Sequence, residues 1–181
     1  MTDNTLTDVH VKLRALEPGD VDLLYAWEND TSIWRISNTL APFSRYQIEE
    51  FVLNAHNDIF TAKQVRLMVD LVESEEGQKS VGTIDLFDFD PFHLRAGVGI
   101  LIREPYRQKG YAFEAMNVFI GYAFGALHLH QLYCNISPDN DSSLNLFEKL
   151  GFVKCGIKKD WNREGHQWQE EWMFQLINQD E

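Results

Sequence analysis

A six-residue turn between an apolar strand pattern and an apolar helix pattern constrains this chain more than any other segment. The strand pattern covers residues 98–102, the helix pattern covers residues 113–124, and the turn reads Arg107, Gln108, Lys109, Gly110, Tyr111 and Ala112. A glycine-bearing turn at such a junction leaves backbone N–H groups unpaired at a helix N-terminus, where the helix dipole also favours negative charge. The glycine and the alanine let a bulky group approach the backbone, and the arginine and the lysine add positive charge. The pattern therefore predicts a binding site for a phosphate group.

Two common phosphate-binding motifs are excluded by the residues around this turn. A P-loop NTPase carries a Lys-Ser or Lys-Thr pair after its last glycine, and this turn has no such pair. A Rossmann dinucleotide site needs three spaced glycines at the turn itself, whereas Gly97 and Gly99 lie inside the strand pattern. Nucleotide hydride chemistry is therefore not expected.

A second motif follows the turn at a defined distance. It predicts a helix capped by an asparagine and closed by a glycine, then a strand, and it reads Asn140, Asp141, Ser142, Ser143, Leu144, Asn145, Leu146, Phe147, Glu148, Lys149, Leu150, Gly151 and Phe152. One helix and one strand, residues 131–136, complete the segment between the two motifs. The turn resembles the acetyl-CoA pyrophosphate loop of the GCN5-related N-acetyltransferase (GNAT) family. The helix resembles the second motif of the same family.

This resemblance covers nearly the whole chain and implies a fold. The expected fold class is α/β (α+β), with a mixed six- to seven-stranded central sheet, four flanking helices, a splay between the central strands, and a single domain over residues 1–181. The residue patterns predict strands at 9–15, 65–72, 81–87, 95–102, 131–136, 152–159 and 168–176, with turns at 73–77 and 162–165. They predict helices opened by residues 18–20 and by Ser44, the second with Gln47 reaching back as in a capping box and ending near residue 57.

The family resemblance also implies how the cofactor binds. Acetyl-CoA, with CoA as product, would lie between two parted strands and pair with the backbone of Ile100, Leu101 and Ile102. The turn from Arg107 through Gln108, Lys109, Gly110 and Tyr111 to Ala112 would hold the pyrophosphate. Asn140, Ser143 and Phe147 would lie along the rest of the cofactor.

The expected acceptor is an amine, which must lose a proton before its lone pair can attack a thioester. An amine with a pKa near 10.4 is neutral in about one molecule in a thousand at neutral pH, a handicap of about 4 kcal/mol. Asp85 and the loop residues Asp88 and Asp90 are candidates for the base. The alternative for Asp88 and Asp90 is a position in a solvated turn without a catalytic role. The residues expected to contact the substrate are Glu28, Asp30, Trp34, Asp85 and Asp88. The alternative for Glu28 and Asp30 is a surface position at a helix end without a substrate contact.

Two positions depart from the family pattern. Gly97 stands where many relatives place a glutamate that acts as base or water anchor, and Phe147 stands where the polyamine enzymes carry a tyrosine general acid. Phenylalanine cannot donate a proton, and acid assistance is typically worth about 10² to 10⁴ in rate. Tyr133 and Tyr111 are possible substitutes, with core packing as the alternative role.

The composition of the chain limits the kinds of molecule that it is expected to bind. The chain has 181 residues, 16 basic and 28 acidic side chains and a formal net charge of −12, which disfavours nucleic acid and anionic membranes. Neither a signal peptide nor a membrane span is evident, so a cytoplasmic location is expected. No metal site is expected, and Cys134 and Cys155 are predicted to be buried free thiols. Four tryptophans could line an acceptor groove or a dimer surface, with strand cores as the alternative, which leaves a homo-oligomer open: Trp34, Trp161, Trp168 and Trp172.

The functional hypothesis is an acetyl-CoA-dependent N-acetyltransferase that acts on a small-molecule primary amine by direct transfer in a ternary complex. The opening segment, residues 11–17, and the closing hairpin, residues 162–165, resemble spermidine or diamine N-acetyltransferases and ribosomal-protein-alanine N-acetyltransferases. A polyamine or diamine such as spermidine is the favoured acceptor. The alternatives are a protein or peptide N-terminus as acceptor, or a catalytically weak CoA-binding sensor module.

Overall fold

The fold is built on one seven-stranded sheet with helices on both faces. A computed structural model describes residues 6–37, 39–72 and 79–179. The strand order is β1-β2-β3-β4-β5-β7-β6. The strands are β1 (Val11–Ala15), β2 (Val65–Leu71), β3 (Lys79–Asp90), β4 (Arg95–Ile102), β5 (Gln131–Ile136), β6 (Val153–Glu164) and β7 (Gln167–Ile177).

Four helices of eight or more residues flank the sheet in the described ranges, and two further helices are single turns of four residues. They are α1 (Val21–Glu28), α2 (Trp34–Ser37), α3 (Arg45–Leu53), α4 (Ile59–Ala62), α5 (Tyr111–Gly125) and α6 (Asp141–Lys149). This arrangement confirms the predicted mixed sheet and its four principal helices.

The two faces of the sheet differ in character. On one face α5 packs Met116 and Phe119 into the main core, which also contains Phe147 of α6. On the other face α1 and α3 form a smaller core around Met68 of β2. Since neighbouring side chains on a strand point to opposite faces, Arg66, Asp85, Gly97 and Tyr133 share the α1/α3 face, through the registers that join β2 to β5.

A splay interrupts the sheet at its centre. β4 and β5 run parallel and pair only where Arg95–Gly97 meet Gln131–Tyr133. Beyond these residues β4 continues to pair with β3 up to Ile102, while β5 pairs with β7 up to Ile136. The two strands therefore part after Gly97 and Tyr133, as predicted, and leave one backbone edge of each unpaired. We call the point where they part the apex.

An ion-pair network on the α1/α3 face was not expected from the sequence. Asp70 of β2 is fully buried, and its carboxylate accepts hydrogen bonds from Arg14 Nε at 2.7 Å and from Ser80 Oγ at 2.6 Å. The same guanidinium donates two hydrogen bonds to Asp20, at 2.6 and 2.8 Å. Arg14 thus joins β1 to β2 and to the turn that precedes α1.

Most predicted boundaries lie within a few residues of the observed ones, but three predictions are wrong. β3 extends to Asp90, so Asp88 and Asp90 lie in the strand, where its pairing with β4 is irregular, and not in a loop that follows it. β6 and β7 extend further than expected, so the turn lies at Gly165 and His166 and not at 162–165. Cys134 is buried as predicted, but the prediction for Cys155 is wrong, because Cys155 is exposed at an irregularity of the outer strand β6. The acidic turn predicted at 73–77 lies outside the described residues, although β2 and β3 pair antiparallel as a hairpin requires.

Candidate active site

The turn before α5 has the backbone geometry of an anion site. Gly110 occupies the N-cap position with φ of 87°, and Gln108 has φ of 60°. The described part of the chain offers no hydrogen-bond acceptor to the backbone N–H groups of residues 108–112. Because these N–H groups stand at the positive end of a fifteen-residue helix, the turn fits a diphosphate.

The side chains of the turn brace it and leave its surface accessible. Arg107 donates from Nε to the carbonyl oxygen of Ile102 at 2.9 Å, which ties the turn to the end of β4. Lys109 is exposed, with Nζ 5.6 Å from the ring centroid of Tyr106. Tyr111 and Ala112 are half-buried in the first turn of α5. The backbone, with Lys109 beside it, therefore presents the anion-binding groups.

We expect a methyl group at Gly110 to weaken cofactor binding, because the backbone there is left-handed. A Cβ would meet no atom within 4 Å, so strain at φ of 87° is the main penalty, about 1–2 kcal/mol. The unbound turn can relieve this strain by adopting another conformation, which binding must reverse, so Gly110→Ala should raise the Kd for CoA about tenfold, measured by titration calorimetry. Gly121→Ala, the same change inside α5 with equally open space, should leave the Kd unchanged. Equal affinities in both variants would contradict the assignment.

The open edge of β4 runs from the apex to Ile102, shortly before the turn begins. Ile100, Leu101 and Ile102 pair with β3 through Ile84, Thr83 and Gly82, and their other edge faces the splay. A pantetheine arm can pair with such an edge as an added strand would. The edge between Gly97 and Ile102 spans roughly 17 Å at about 3.3 Å per residue, which connects the turn to the apex.

The second-motif helix has its predicted cap. Asn140 accepts a hydrogen bond at its side-chain oxygen from the Ser143 N–H at 3.2 Å, so both residues hold the start of α6. Phe147 is 4 % exposed and packs edge-on against Phe152, with ring centroids 5.0 Å apart. Phe147 therefore belongs to the core on the α5 face, and it carries no group that could transfer a proton.

Three of the predicted acceptor-side residues lie together around an arginine that the sequence analysis did not single out. Arg66 binds Asp85 through both carboxylate oxygens, at 2.5 and 3.2 Å, and also binds Glu28. Burial alone would lower the pKa of Arg66, but the charges and hydrogen bonds of the two carboxylates outweigh it and the pKa is raised. Trp34 donates from Nε1 to the backbone oxygen of Glu28 at 2.9 Å. The guanidinium thus occupies both oxygens of Asp85.

Asp30 lies apart from this group, beside the turn before α5. Its carboxylate accepts hydrogen bonds from Ser32 and, at 3.1 Å, from Arg103 Nη1; these bonds, led by that of the Ser32 hydroxyl, lower the pKa of Asp30. A cleft of about 190 Å³ lies between this loop and the turn, lined by Asp30, Ser32, Ile33, Arg103, Glu104 and Arg107. The loop after α1 and the turn before α5 therefore share one opening.

The apex holds Tyr133 and Asp88. Tyr133 donates its hydroxyl hydrogen to Asp88 Oδ2 at 3.1 Å. Burial and then the neighbouring charge of Asp88 raise the pKa of Tyr133 to about 12. A phenol of that pKa is a much weaker acid than a thiol of pKa near 8.5, so Tyr133 is poorly suited to protonate a departing thiolate. The hydrogen bond instead orients the carboxylate.

At the apex, the Phe87 ring packs directly against Gly97. A Cβ on Gly97 would lie 2.2 to 2.7 Å from three atoms of the Phe87 ring, and that ring also packs edge-on against Tyr133 at 6.0 Å between centroids. The ring thus fills the space that a side chain at position 97 would need. Sequence reasoning could identify the glycine but not the ring above it.

We expect Gly97→Ala to lower the free energy of unfolding by about 1–3 kcal/mol, since the Phe87 ring must move. Gly99→Ala is the matched control, because a Cβ there would lie 3.9 Å from the same ring, an ordinary contact, and should change stability by less than about 0.5 kcal/mol. Urea unfolding of both variants provides the measurement. If the two substitutions cost the same, the ring does not exclude a side chain at position 97.

Comparison with known proteins provides the deciding observation. Residues 10–153 match the family model described as an acetyltransferase (GNAT) domain. The chain belongs to the GNAT family. The GNAT domain explains the splay and the anion-binding turn together, because acetyl-CoA is the acetyl donor of the family.

Individual relatives of this GNAT protein are distant. It is 26% identical over 176 residues to an uncharacterized N-acetyltransferase p20 of Bacillus licheniformis, with 97% of each chain covered. It is 29% identical over 145 residues to a spermidine N(1)-acetyltransferase of Vibrio cholerae, covering 80% of this chain and 79% of the relative. The chain is therefore an N-acetyltransferase of the GNAT type.

A solved structure supports the fold. The spermidine N-acetyltransferase of Vibrio cholerae, determined in complex with CoA and spermine, superposes with a TM-score of 0.80 at 24% identity. The match covers 92% of this chain and 95% of that one. Among the described helices of the GNAT protein, none combines the length and hydropathy needed to cross a bilayer. Within residues 6–37, 39–72 and 79–179, no three His, Cys, Asp or Glu side chains cluster as a metal site would require.

Proposed function

We propose that this protein acetylates a primary amine of a polyamine or diamine such as spermidine, by direct transfer from acetyl-CoA in a ternary complex. The observation that carries the proposal is the splay, which runs from the anion-binding turn to an apex beside carboxylates on the α1/α3 face. Relatives that carry the name spermidine N(1)-acetyltransferase, from Vibrio cholerae and Escherichia coli, give independent support.

The charge of the α1/α3 face favours a cationic acceptor. Glu28 and Asp85 surround the single guanidinium of Arg66, so two negative charges and one positive charge leave one net negative charge. Asp88 adds a second negative charge at the apex. The whole chain carries a formal net charge of −12, which attracts polycations over longer distances. A polyamine can bind through one ammonium group while another amine lies at the apex.

Asp88 is the carboxylate that we assign to remove the proton from the acceptor amine. Asp88 Oδ2 accepts the hydrogen bond from Tyr133, and Asp88 Oδ1 makes no hydrogen bond to any described residue. Asp85, by contrast, has both oxygens engaged by Arg66. An oriented carboxylate with one open oxygen can accept the proton directly or through a water molecule.

The protein's own groups then organise the transfer. Acetyl-CoA supplies an activated thioester, and its thiolate can leave without a proton donor because a thiol pKa lies near 8.5. The unpaired edge of β4 would hold the donor between the strands, and the Phe87 ring packs against Gly97 at the apex. The proposal therefore needs no general acid at Phe147.

We further propose that residues 1–181 form one acetyltransferase domain that acts in the cytoplasm. The family match ends at residue 153, and the strands beyond it, β6 and β7, complete the same sheet through β5.

A thiol-release assay tests the function. Purified protein is mixed with acetyl-CoA and, one at a time, with spermidine, spermine, putrescine, an aminoglycoside and peptides with free N-termini. We expect CoA release with the polyamines at a higher kcat/KM than with the peptides. CoA release with the peptides alone would favour an N-terminal acetyltransferase over a polyamine acetyltransferase. No CoA release with any amine would reject both functions.

A further inference from the structure

Asn135 of β5 carries an unexplained buried polar atom. Its side-chain oxygen Oδ1 is buried without a hydrogen-bond partner, and the described residues contain no other side-chain nitrogen or oxygen in that condition. A buried carbonyl oxygen without a donor reduces stability, because the hydrogen bonds that it made to water are lost and not replaced. Such an atom in a folded protein calls for an explanation, and a ligand that supplies the missing donor is one.

The position of Asn135 connects it to the splay. Tyr133, two residues earlier, is the last residue of β5 that pairs with β4, and Asn135 pairs only with Met173 of β7 on its other side. Residues two apart on a strand share a face, so Asn135 projects on the α1/α3 face, as Tyr133 does. Its amide therefore lies just past the apex, beside the strand edge that β4 has left.

We propose that Asn135 Oδ1 accepts a hydrogen bond from the N–H of the acceptor amine and so orients its lone pair toward the thioester. The proposal rests on the function proposed above. The missing partner must be an N–H or O–H donor, and both the amine and the amides of the pantetheine arm offer an N–H. Side chains stand roughly perpendicular to a sheet, so Asn135 reaches the acceptor face, whereas an arm lying between the strands meets their backbone edges. This direction favours the amine.

A neutral amide suits this position better than a carboxylate would. A second carboxylate, in addition to Asp88, would further stabilise the ammonium form, which has no lone pair for attack. The carboxamide oxygen accepts a hydrogen bond without adding charge. Asn135 would therefore select the direction of the amine, while Asp88 accepts its proton.

Two substitutions test the proposal in the full chain. Asn135→Leu removes the unpartnered oxygen at similar volume, and we expect the KM for the amine to rise about tenfold while the Kd for CoA, from calorimetry, stays unchanged. The same variant should melt a few degrees higher, roughly 2–4 °C, because the unsatisfied atom is gone. Asn135→Asp, a second variant of nearly the same shape, should lower kcat and shift the pH–rate profile to higher pH. Asn117→Leu, the same change at an exposed position of α5, should alter none of these quantities.

The outcomes separate the possible roles of Asn135. If Asn135→Leu lowers the melting temperature and leaves the KM for the amine unchanged, the residue is structural and the proposal is overturned. It is also overturned if the Kd for CoA weakens while the KM for the amine does not, since the pantetheine arm would then be the donor. If the wild-type protein acetylates no amine, both this proposal and the proposed function are overturned. If the wild-type protein is active and the Asn135 variants have the same kinetic constants, only the proposal for Asn135 is overturned.

Discussion

Replacement of Asp88 by asparagine is expected to lower kcat/KM for spermidine at pH 7 by about 100-fold, the lower end of what a general base contributes. Asparagine keeps the shape and can still accept the Tyr133 hydrogen bond, which measures 3.1 Å in the wild-type protein, but it cannot take a proton from the amine. The variant must therefore rely on the small neutral fraction of the amine. Its rate should rise about tenfold per pH unit until the amine pKa is approached, so the deficit shrinks as the pH increases.

Asp90→Asn is the matched control for this change. Asp90 lies two residues further along, and its Oδ1 accepts hydrogen bonds from the N–H groups of Phe92 and His93, a role that an asparagine oxygen can fill. We expect near wild-type kcat/KM and an unchanged pH profile. A similar loss in both variants, or a constant deficit for Asp88→Asn between pH 7 and pH 9.5, would show that Asp88 is not the base.

The second large effect concerns stability. We expect Arg14→Met to lower the free energy of unfolding by about 3 kcal/mol, because it leaves the fully buried Asp70 without its guanidinium. Breaking a buried ion pair typically costs about 3–5 kcal/mol, and we choose the lower end because the Arg14 side chain retains 19% exposure and Ser80 still binds Asp70. Urea unfolding followed by circular dichroism measures the difference.

The same network makes stability depend on pH in the acid range. Burial alone would raise the pKa of Asp20, but the hydrogen bonds from Arg14 and from the Glu17 N–H outweigh it, and the pKa is lowered from its ordinary value of 3.8. A carboxylate with a depressed pKa stabilises the fold above that ordinary value, and the contribution is lost as the pH falls through the depressed pKa. Wild-type stability should therefore fall below about pH 4 more steeply than that of Arg14→Met.

Arg45→Met separates the network from the mere loss of an arginine. Arg45 pairs with Asp22 and Glu49, and its side chain is 55% exposed. Ion pairs in such positions contribute little, so this variant should unfold at the same urea concentration as the wild type. Equal destabilisation by the two substitutions would contradict the role of Arg14.

The parts of the fold that depend on local chemistry could be predicted from the sequence. β4 and β5 begin and end at the predicted residues, Ser44 and Gln47 form the predicted capping box, and Gly151 has the left-handed backbone, φ of 89°, expected after a helix. Each of these features is determined by residues within a few positions of one another. The splay followed from the family resemblance and not from the residue pattern.

The candidate site depended on contacts that no local pattern contains. Arg66 binds Glu28 and Asp85, which lie 38 and 19 residues away, and only the folded sheet brings them together. The available signal was an arginine in a strand pattern that is apolar apart from Asp70. It pointed to a buried partner without naming one. The unpartnered oxygen of Asn135 could not be predicted, because it depends on the absence of a neighbouring strand.

The short junction between β4 and β5 also affects the mechanics of the molecule. Among the residues that the structure describes, three residue pairs alone join strands β1 to β4 with strands β5 to β7 in the sheet. Backbone amides that border the gap have no partner strand to slow their exchange with deuterium, so they form a seam across the middle of the protein. A donor bound along that seam, as proposed, would link the two halves of the sheet. The protection of these amides from exchange should therefore increase with the concentration of acetyl-CoA.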